Sequence, residues 1–452
     1  MLGFSALLVL IGSLEGASAA CRSALDCGLN GECLPSGACE CDKGWRGAVC
    51  GELDLLPVDK AKRGLLLPGS ATWGGTPIPH ADGSGRISLF AEQMVNGCPL
   101  KDWVNNSQIV HATASSPLGP FAIQSLALPP FHHNVGAARV AGAGAGANAQ
   151  QSDQWLIYST GCNVWPDTLP NCTHATTPSA TGTGTGAGAG AGAGAGRPAF
   201  PGNCSGLTPM PPQVPFQHLG LDGRIRLSTA SSPDGPWRDE PLPVLQPQYG
   251  GWDPFTTNAA PLLLPNGSTV LVYRGINGTG TDAIGLAFSQ AGPTGPFERI
   301  SKDAPIFTDH SEDPFLYKGR RGYHIVMHHL PPNPLQPASF PFDPKVWACD
   351  YDCVGHAYAE NLWGPWYYSP VPAANNTVAF TDGTTEVLNA RERAQVLTDE
   401  HGDVLVLYNG VCCQPGYTDD DDHENHEITY TLAAPTAAYP SSTWGQRDAA
   451  KP

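Results

Sequence analysis

The chain is poor in basic side chains and in charge of either sign. It has 24 Lys and Arg against 41 Asp and Glu in 452 residues, a formal net charge of -17, and only 14% of its residues are charged. An acidic surface repels a phosphate backbone, so the composition argues against nucleic acid as a partner. The apolar content of 41% is enough for a core, and the length suits one large domain with a small one.

Long apolar runs are also missing. Residues 1–20 hold a single apolar run followed by small residues, which we interpret as a signal peptide cleaved before Cys21. An uncleaved anchor is the alternative, although the run is shorter than the ~20 residues that span a bilayer. No other stretch is long enough, so we expect no transmembrane helix once the leader is removed.

Cysteine, by contrast, is plentiful, with 14 residues. Asn-x-Ser/Thr sequons for glycosylation occur at Asn105, Asn171, Asn203, Asn266, Asn277 and Asn375. Cysteines, sequons and leader together predict an oxidising secretory route and a glycoprotein that is secreted or held at the cell surface.

Six cysteines fall within thirty residues near the N-terminus. They are Cys21, Cys27, Cys33, Cys39, Cys41 and Cys50. So short a stretch cannot build a core and must depend on disulfides, but the spacing alone leaves fifteen pairings open. Its ending, CECDKGWRGAVC, resembles an epidermal-growth-factor-like module. The resemblance implies the pairs Cys21–Cys33, Cys27–Cys39 and Cys41–Cys50.

This module, residues 21–50, has two possible functions. It is either a binding site for a protein partner or a spacer held rigid by its disulfides. Residues 51–66 are interpreted as a linker to the next domain. Calcium-binding members carry acidic residues just before the first cysteine, where this chain has Ala19 and Ala20. We therefore expect no calcium in the module.

Five short apolar segments that end in polar residues recur along the rest of the chain. They are 86–93, 154–161, 268–275, 322–329 and 403–410. Gly-Pro-aromatic turns ending at Phe121, Trp237, Phe297 and Trp366 close four of the units. Such β repeats are typical of a radial array with one four-stranded sheet per repeat. We predict a mainly β fold, a five-bladed β-propeller over 67–433 followed by a tail at 434–452; a β-sandwich is the alternative.

Tracts of alternating Gly and Ala interrupt the second unit. We predict low-complexity insertions at 141–150 and 163–218 that stay disordered, because they lack side chains that can pack. Cys162, Cys172 and Cys204 flank the larger insertion, so we expect a disulfide across its base. Cys349 and Cys353 are close enough in sequence for a local bridge.

Two adjacent carboxylates, Glu312 and Asp313, stand before a proline at the start of a predicted strand in Ser311–His329. In a propeller the innermost strands begin near the axis, so this pair is expected in a central funnel. The stretch, with 250–275 and the four Gly-Pro-aromatic turns, resembles the five-bladed propellers of the glycoside hydrolase family 43 superfamily. The resemblance implies that fold and a carbohydrate partner.

The resemblance also implies a mechanism. Inverting hydrolysis requires a protonated carboxyl beside the leaving oxygen and a carboxylate ~6.5–9.5 Å away that holds water. Glu312 matches the family's Glu-x-Pro acid, and its neighbour Asp313 is expected to raise its pKa by like-charge repulsion.

The family's other two acids do not match. Trp73-Gly74-Gly75 stands where the family has its first-blade base, and Asn258 stands where it has an orienting aspartate. Asp253, Glu392 and Asp313 are the available substitutes for the base.

We expect one funnel to collect all the candidate residues. Its lining would comprise Trp73, His133, Asn134, Asp253, Asn258, Glu312, Asp313, Arg391, Glu392 and Arg393. Arg391 or Arg393 would pair with an anionic sugar group such as a uronate or sulfate. Two functions remain: an inverting glycoside hydrolase of poly- or oligosaccharides, or a non-catalytic carbohydrate-binding or cell-surface adhesion protein.

No cofactor and no metal ligands are predicted. The two thiols of 349–353 are a weak zinc candidate, and the acidic run 419–427 is a weak calcium candidate. The family resemblance leaves an axial calcium near a histidine open.

Overall fold

The structure is a computed structural model that describes residues 20–142, 153–161, 172, 223–277, 281–300, 302–307, 309–330, 353–412 and 429–440. Several predictions concern residues outside this part of the chain. They are the leader, nearly all of both Gly/Ala insertions, the sequons Asn171 and Asn203, Cys349, the acidic run and most of the tail.

The cysteine-rich module forms two small hairpins held by three disulfides. It contains a 3-10 helix (Ala24–Cys27) and the strands β1 (Gly31–Cys33), β2 (Cys39–Cys41), β3 (Trp45–Arg46) and β4 (Glu52–Leu53). Strand β1 pairs with β2, and β3 with β4. The three disulfides are Cys21–Cys33, Cys27–Cys39 and Cys41–Cys50. These pairings confirm those implied by the family resemblance.

The remaining strands form five antiparallel blades in chain order. Blade one has β5 (Thr72–Pro79), β6 (Ile87–Met94), β7 (Ser107–Ala114) and β8 (Ala122–Leu128). Blade two has β9 (His132–Val140), β10 (Gln154–Gly161), β11 (Ile225–Ala230) and β12 (Arg238–Asp239). Blade three has β13 (Phe255–Leu263), β14 (Thr269–Ile276), β15 (Asp282–Ser289) and β16 (Glu298–Arg299).

Blade four has β17 (Ser311–Lys318), β18 (Tyr323–His329), β19 (Cys353–Ala359) and β20 (Tyr367–Tyr368). A separate hairpin follows, β21 (Thr377–Ala379) and β22 (Thr385–Val387). Blade five has β23 (Ala390–Thr398), β24 (Val404–Cys412) and β25 (Tyr430–Pro435). Short helices lie at Lys60–Lys62 (3-10), Leu100–Asp102 (3-10) and Trp103–Asn106 (α).

The innermost strands close into a ring. Strands β5, β9, β13, β17 and β23 contact one another in that order, and β23 returns to β5. The predicted five-bladed propeller is therefore confirmed. The five apolar segments of the sequence are the second strands of the five blades, β6, β10, β14, β18 and β24. Their buried Leu, Ile and Val side chains pack between blades, as Val270 and Val272 do against Leu316 of the next blade.

Four of the five blades have a Gly-Pro-aromatic turn. Each turn leads directly into the outermost strand of a blade, β8, β12, β16 or β20. Blade five lacks such a turn, and its third strand pairs instead with the N-terminal segment through Leu55–Thr436 and Leu65–Thr431 bridges. Residues 51–66 are thus part of the propeller's closure, and not the plain linker that we expected.

The module packs directly on blades four and five. Trp45 is 6% exposed and belongs to one apolar cluster with Val326 of β18 and Val404 of β24. Its ring lies 4.9 Å from the ring of His356. Arg321 of the propeller pairs with Asp42 of the module. Module and propeller therefore share a core.

A fourth disulfide was not expected. Cys172 bonds to Cys98 across 74 residues, so it ties the second blade's insertion to a loop of blade one. The other two cysteines that flank the insertion, Cys162 and Cys204, lie outside the described residues. Cys353 takes part in a further disulfide, and so does Cys412. Within the described ranges, no helix is long and apolar enough to span a membrane.

Candidate functional site: an axial cavity

Each innermost strand carries a β-bulge near its start. The register shifts lie between Trp73 and Thr76 in β5 and at the corresponding points of the other four blades. At each bulge one residue has a left-handed backbone: Gly74 (φ +57°), Asn134 (φ +58°), Asn258 (φ +52°), Asp313 (φ +53°) and Arg393 (φ +52°). Gly, Asn and Asp tolerate this conformation, whereas Arg pays strain of about 1–3 kcal/mol. A strained arginine is kept only where its contacts compensate.

These bulge residues bond to one another around the axis. Asn134 Nδ2 donates to Asn258 Oδ1 at 2.6 Å, and Asn258 Nδ2 donates in turn to Asp313. Arg393 Nη1 donates to the same Asp313 oxygen at 3.0 Å, and its Nη2 donates to buried Glu92 at 3.1 Å. Glycine suits the fifth position, because a Cβ on Gly74 would lie only 3.0 Å from Arg393 Cβ. The network thus fixes one side chain from each of four blades.

A cavity of about 480 Å³ opens beside this network. Its walls include the residue that precedes the left-handed bulge position in each of the five blades, together with a loop of blade one. The lining is Trp73, Leu100, Lys101, Trp103, Val104, His133, Asn134, Phe255, Thr257, Asn258, Arg274, Ile276, Glu312, Asp313, Glu392 and Arg393. The volume lies within the range of small-molecule sites, and the walls combine aromatic rings with fixed polar groups.

Glu312 is held by two basic side chains. Its Oε2 lies 2.6 Å from Arg274 Nη1, and its Oε1 lies 3.0 Å from His328 Nδ1. Burial by itself raises the pKa of Glu312, but Arg274 and His328 more than offset burial and lower that pKa to about 2. Glu312 is therefore a carboxylate at neutral pH, and the expectation that Asp313 raises its pKa was wrong.

The raised pKa belongs to Asp313 instead. Burial raises the pKa of this carboxyl most, Arg393 opposes the rise, and Glu312 and Glu392 add like-charge repulsion. Because Arg274 stabilises Glu312 as an anion, Asp313 is the carboxyl of the pair that takes up a proton more readily. The site holds two adjacent carboxyl groups whose pKa values are displaced in opposite directions.

The cavity's acids are too close together for an inverting pair. Oxygens of Glu312, Asp313 and Glu392 all lie within 4.8 Å of one another, and these three are the only carboxyl groups in the cavity's described lining. Inversion needs ~6.5–9.5 Å between the acid and the base. Trp73, at the position of the family's base, supplies no carboxylate. The described part of the chain thus offers Glu312 no partner at the inverting distance.

Two predicted residues lie elsewhere. Asp253 is fully buried, pairs with Arg299 Nε at 2.7 Å and accepts from Tyr273 Oη at 2.8 Å, which makes it a structural anchor within blade three. Arg391 is 1% exposed and lines a different cavity. Asp253 and Arg391, which we expected in the funnel, therefore do not line the axial cavity. The other eight predicted lining residues do line the axial cavity.

One wall of the cavity is a loop that we did not predict from the sequence. Lys101, Trp103 and Val104 come from the short helices between β6 and β7. The Trp103 ring stacks on His133 at 4.6 Å, and His133 Nδ1 lies 2.7 Å from Ser107 Oγ. Burial holds the pKa of His133 well below its usual value, so the ring is neutral. The nearby Cys98, which anchors the loop to Cys172, was the one available signal.

The cavity's acids also form a candidate metal cluster. Among the described residues it is the only such cluster that contains no cysteine. Glu312, Asp313, Glu392 and His328 offer donor atoms within 4.8 Å of one another. Calcium prefers oxygen ligands, which three of the four residues provide. However, Arg274 already neutralises Glu312, so a cation would have to compete with it. We assign no metal to the site.

No family model matches the sequence, and no curated protein matches it. Glycoside hydrolases are among the solved structures that it resembles. A thermostable family-43 enzyme is 13% identical at a TM-score of 0.44, over 84% of this chain and 91% of its own. A family 117 enzyme of the marine bacterium Zobellia galactanivorans is 12% identical at 0.44, over 85% and 89%. An α-L-arabinofuranosidase of Lactobacillus brevis is 13% identical at 0.41, over 83% and 94%.

These neighbours are from the family group that the sequence resembles. Likeness at such scores carries no argument about activity. The propeller fold is established by the strand topology of this chain, and its function has to be argued from its own cavity.

Proposed function

We propose that this protein is a secreted carbohydrate-binding protein and that the sugar occupies the axial cavity. One observation carries the proposal: half-buried Trp103, stacked on His133, lines a cavity whose polar groups are already fixed by mutual bonds. Sugars bind by stacking on aromatic rings and by bonding to donors and acceptors that need no rearrangement. Arg274, Glu312 and Asn258 supply such groups.

Binding without inverting hydrolysis is supported by the state of the acids. A general acid must carry a proton near the operating pH, and the low pKa of Glu312 removes it from that role. A water-holding base at the inverting distance is lacking among the cavity's described residues. Glu312 would instead accept hydrogen bonds from sugar hydroxyls.

Hydrolysis by a different arrangement is the second candidate. Acid and base roles are found where environments drive two pKa values apart, and Asp313 and Glu312 fit this pattern. Asp313 would donate the proton and Glu392 would act as the nucleophile, since closely spaced carboxyls at ~5–5.5 Å suit a retaining mechanism.

One experiment separates the candidates. The secreted protein, Glu312→Gln and Asp313→Asn are titrated with plant and algal oligosaccharides by calorimetry and assayed with aryl glycosides. Binding without turnover, weakened about tenfold or more in Glu312→Gln, supports the binding protein. Turnover that is lost in Asp313→Asn supports the hydrolase. Failure of the parent protein to bind any sugar would refute the proposed site.

Secretion and glycosylation belong to the same proposal. Asn266 and Asn375 have exposed side chains that a glycan could occupy without displacing core residues. Treatment of the secreted protein with an endoglycosidase should lower its mass, and Asn266→Gln should lose one step of that change. An unchanged mass would contradict glycosylation.

A further inference from the structure

A second cavity lies at the junction of the module and the propeller. It has a volume of about 370 Å³, and we call it the seam cavity. Leu53 and Val58 wall it on the N-terminal side, and Ala374, Val378 and Arg391 wall it on the propeller side. Most of the lining is apolar, so the one buried charge among these residues stands out.

That charge is the guanidinium of Arg391. Its Nε donates to Asn409 Oδ1 at 3.0 Å, and its Nη1 donates to the main-chain oxygen of Asn375 at 2.8 Å. Both acceptors are neutral. The third nitrogen, Nη2, has no hydrogen-bond partner, although the side chain is only 1% exposed.

No carboxylate of the described chain compensates this charge. The carboxylate in the lining, Glu52, pairs with the exposed Arg46 at 3.4 Å. Burial accordingly lowers the pKa of Arg391 to about 10. Arg393, two residues away and just as buried, instead pairs with both Glu92 and Asp313. A buried cation without a counter-ion is strongly unfavourable, so the contrast with Arg393 marks Arg391 as a side chain that a bound anion would stabilise.

We propose that the seam cavity binds a small organic carboxylate with an apolar body, and that the carboxylate neutralises Arg391. The cavity's apolar walls would hold the body, and the free Nη2 would donate to a carboxylate oxygen. Because Arg391 is one of the residues that line the seam cavity, an anion in this cavity would lie beside the guanidinium. The site is separate from the axial cavity and shares no lining residue with it.

The test uses hexanoate as the probe on the full disulfide-bonded protein. Calorimetry should show saturable binding of hexanoate, at least about tenfold weaker binding of neutral hexanamide, and weak binding of inorganic sulfate, which lacks an apolar body. Equal binding of hexanoate and hexanamide would overturn the role of Arg391. Sulfate binding as tight as that of hexanoate would overturn the apolar part of the proposal.

Two variants assign the binding to the cavity. Arg391→Met removes the charge but keeps an unbranched side chain, and it should lose hexanoate binding. Ala379→Trp fills the cavity from the exposed strand β21, and Val387→Trp on the same hairpin but outside the cavity is its control. Loss in Ala379→Trp with retention in Val387→Trp supports the site even if Arg391→Met fails to fold. Unchanged binding in Ala379→Trp would refute it.

Discussion

Replacement of Trp45 by alanine should destabilise the propeller as well as the small module that contains this residue. The Trp45 side chain is 6% exposed, and its ring centroid lies 4.9 Å from that of His356. It shares an apolar cluster with strands of blades four and five. Truncation of a buried aromatic to alanine costs about 3–5 kcal/mol through lost burial and the cavity left behind. Since the contacts of Trp45 cross between module and propeller, that cost should appear in the unfolding of both.

Urea unfolding of the disulfide-bonded protein, followed by both tryptophan fluorescence and far-UV circular dichroism, measures this effect. We expect coincident transitions by the two probes, with the midpoint of Trp45→Ala shifted down in both. Trp363→Ala is the matched control, because its side chain is 53% exposed and should change the free energy of unfolding by less than about 1 kcal/mol. An early transition confined to the module, with the propeller's midpoint unchanged, would refute the shared core.

Three further predictions concern the axial cavity. Burial raises the pKa of Asp313 in the folded protein above its unfolded value of about 3.9, so the parent should lose stability as the pH rises from that value through the folded pKa. Asp313→Asn lacks this ionisation and should gain stability relative to the parent over the same rise in pH. A pH-independent difference in melting temperature would contradict this. Gly74→Ala should cost more than Gly69→Ala, because both have positive φ but only Gly74 is crowded by Arg393; equal melting temperatures would contradict the crowding at the axis. Replacing Cys98 and Cys172 together by serine should remove about 2–4 kcal/mol and weaken sugar binding by releasing the loop of Trp103; unchanged affinity in calorimetry would show that the disulfide does not position that loop.

The sequence predicted the blades because their signals are local. The segment 268–275 has the apolar content and polar end of a central strand, and it forms most of β14. Each Gly-Pro-aromatic turn marks a chain reversal before an outer strand, as at Phe121 before β8. The absence of a fifth turn was also visible in the sequence. The reason for that absence was not, because blade five is closed by the pairing of Leu65 with Thr431, which lie far apart in the chain.

The bulges explain why the two arginines of blade five were both assigned to the funnel. In a regular strand Arg391 and Arg393 share a face, because side chains alternate with a period of two. The extra residue at the bulge, where Arg393 has φ +52°, breaks that alternation. Arg393 lines the axial cavity and Arg391 lines the seam cavity. Hydrophobic pattern alone does not reveal a bulge at a charged residue.

The protonation of Glu312 depends on residues that sequence proximity does not identify. Asp313 is the adjacent charge, so the sequence suggested a raised pKa. In the fold, Arg274 of the neighbouring blade lies 2.6 Å away and decides the direction. Arg274 is recognisable in the sequence at the polar end of a strand segment. Its pairing with Glu312 becomes known only when the two blades are placed side by side.

The most direct test of sugar binding in the axial cavity is a calorimetric titration of Trp103→Ala beside Trp363→Ala, with the best oligosaccharide bound by the parent protein. Trp103 lines the cavity, whereas Trp363 lies on the outer surface of the propeller. We expect a loss of about tenfold or more in affinity for Trp103→Ala and no change for Trp363→Ala. Parent-like affinity in Trp103→Ala would contradict binding in the axial cavity and place the sugar elsewhere on the protein.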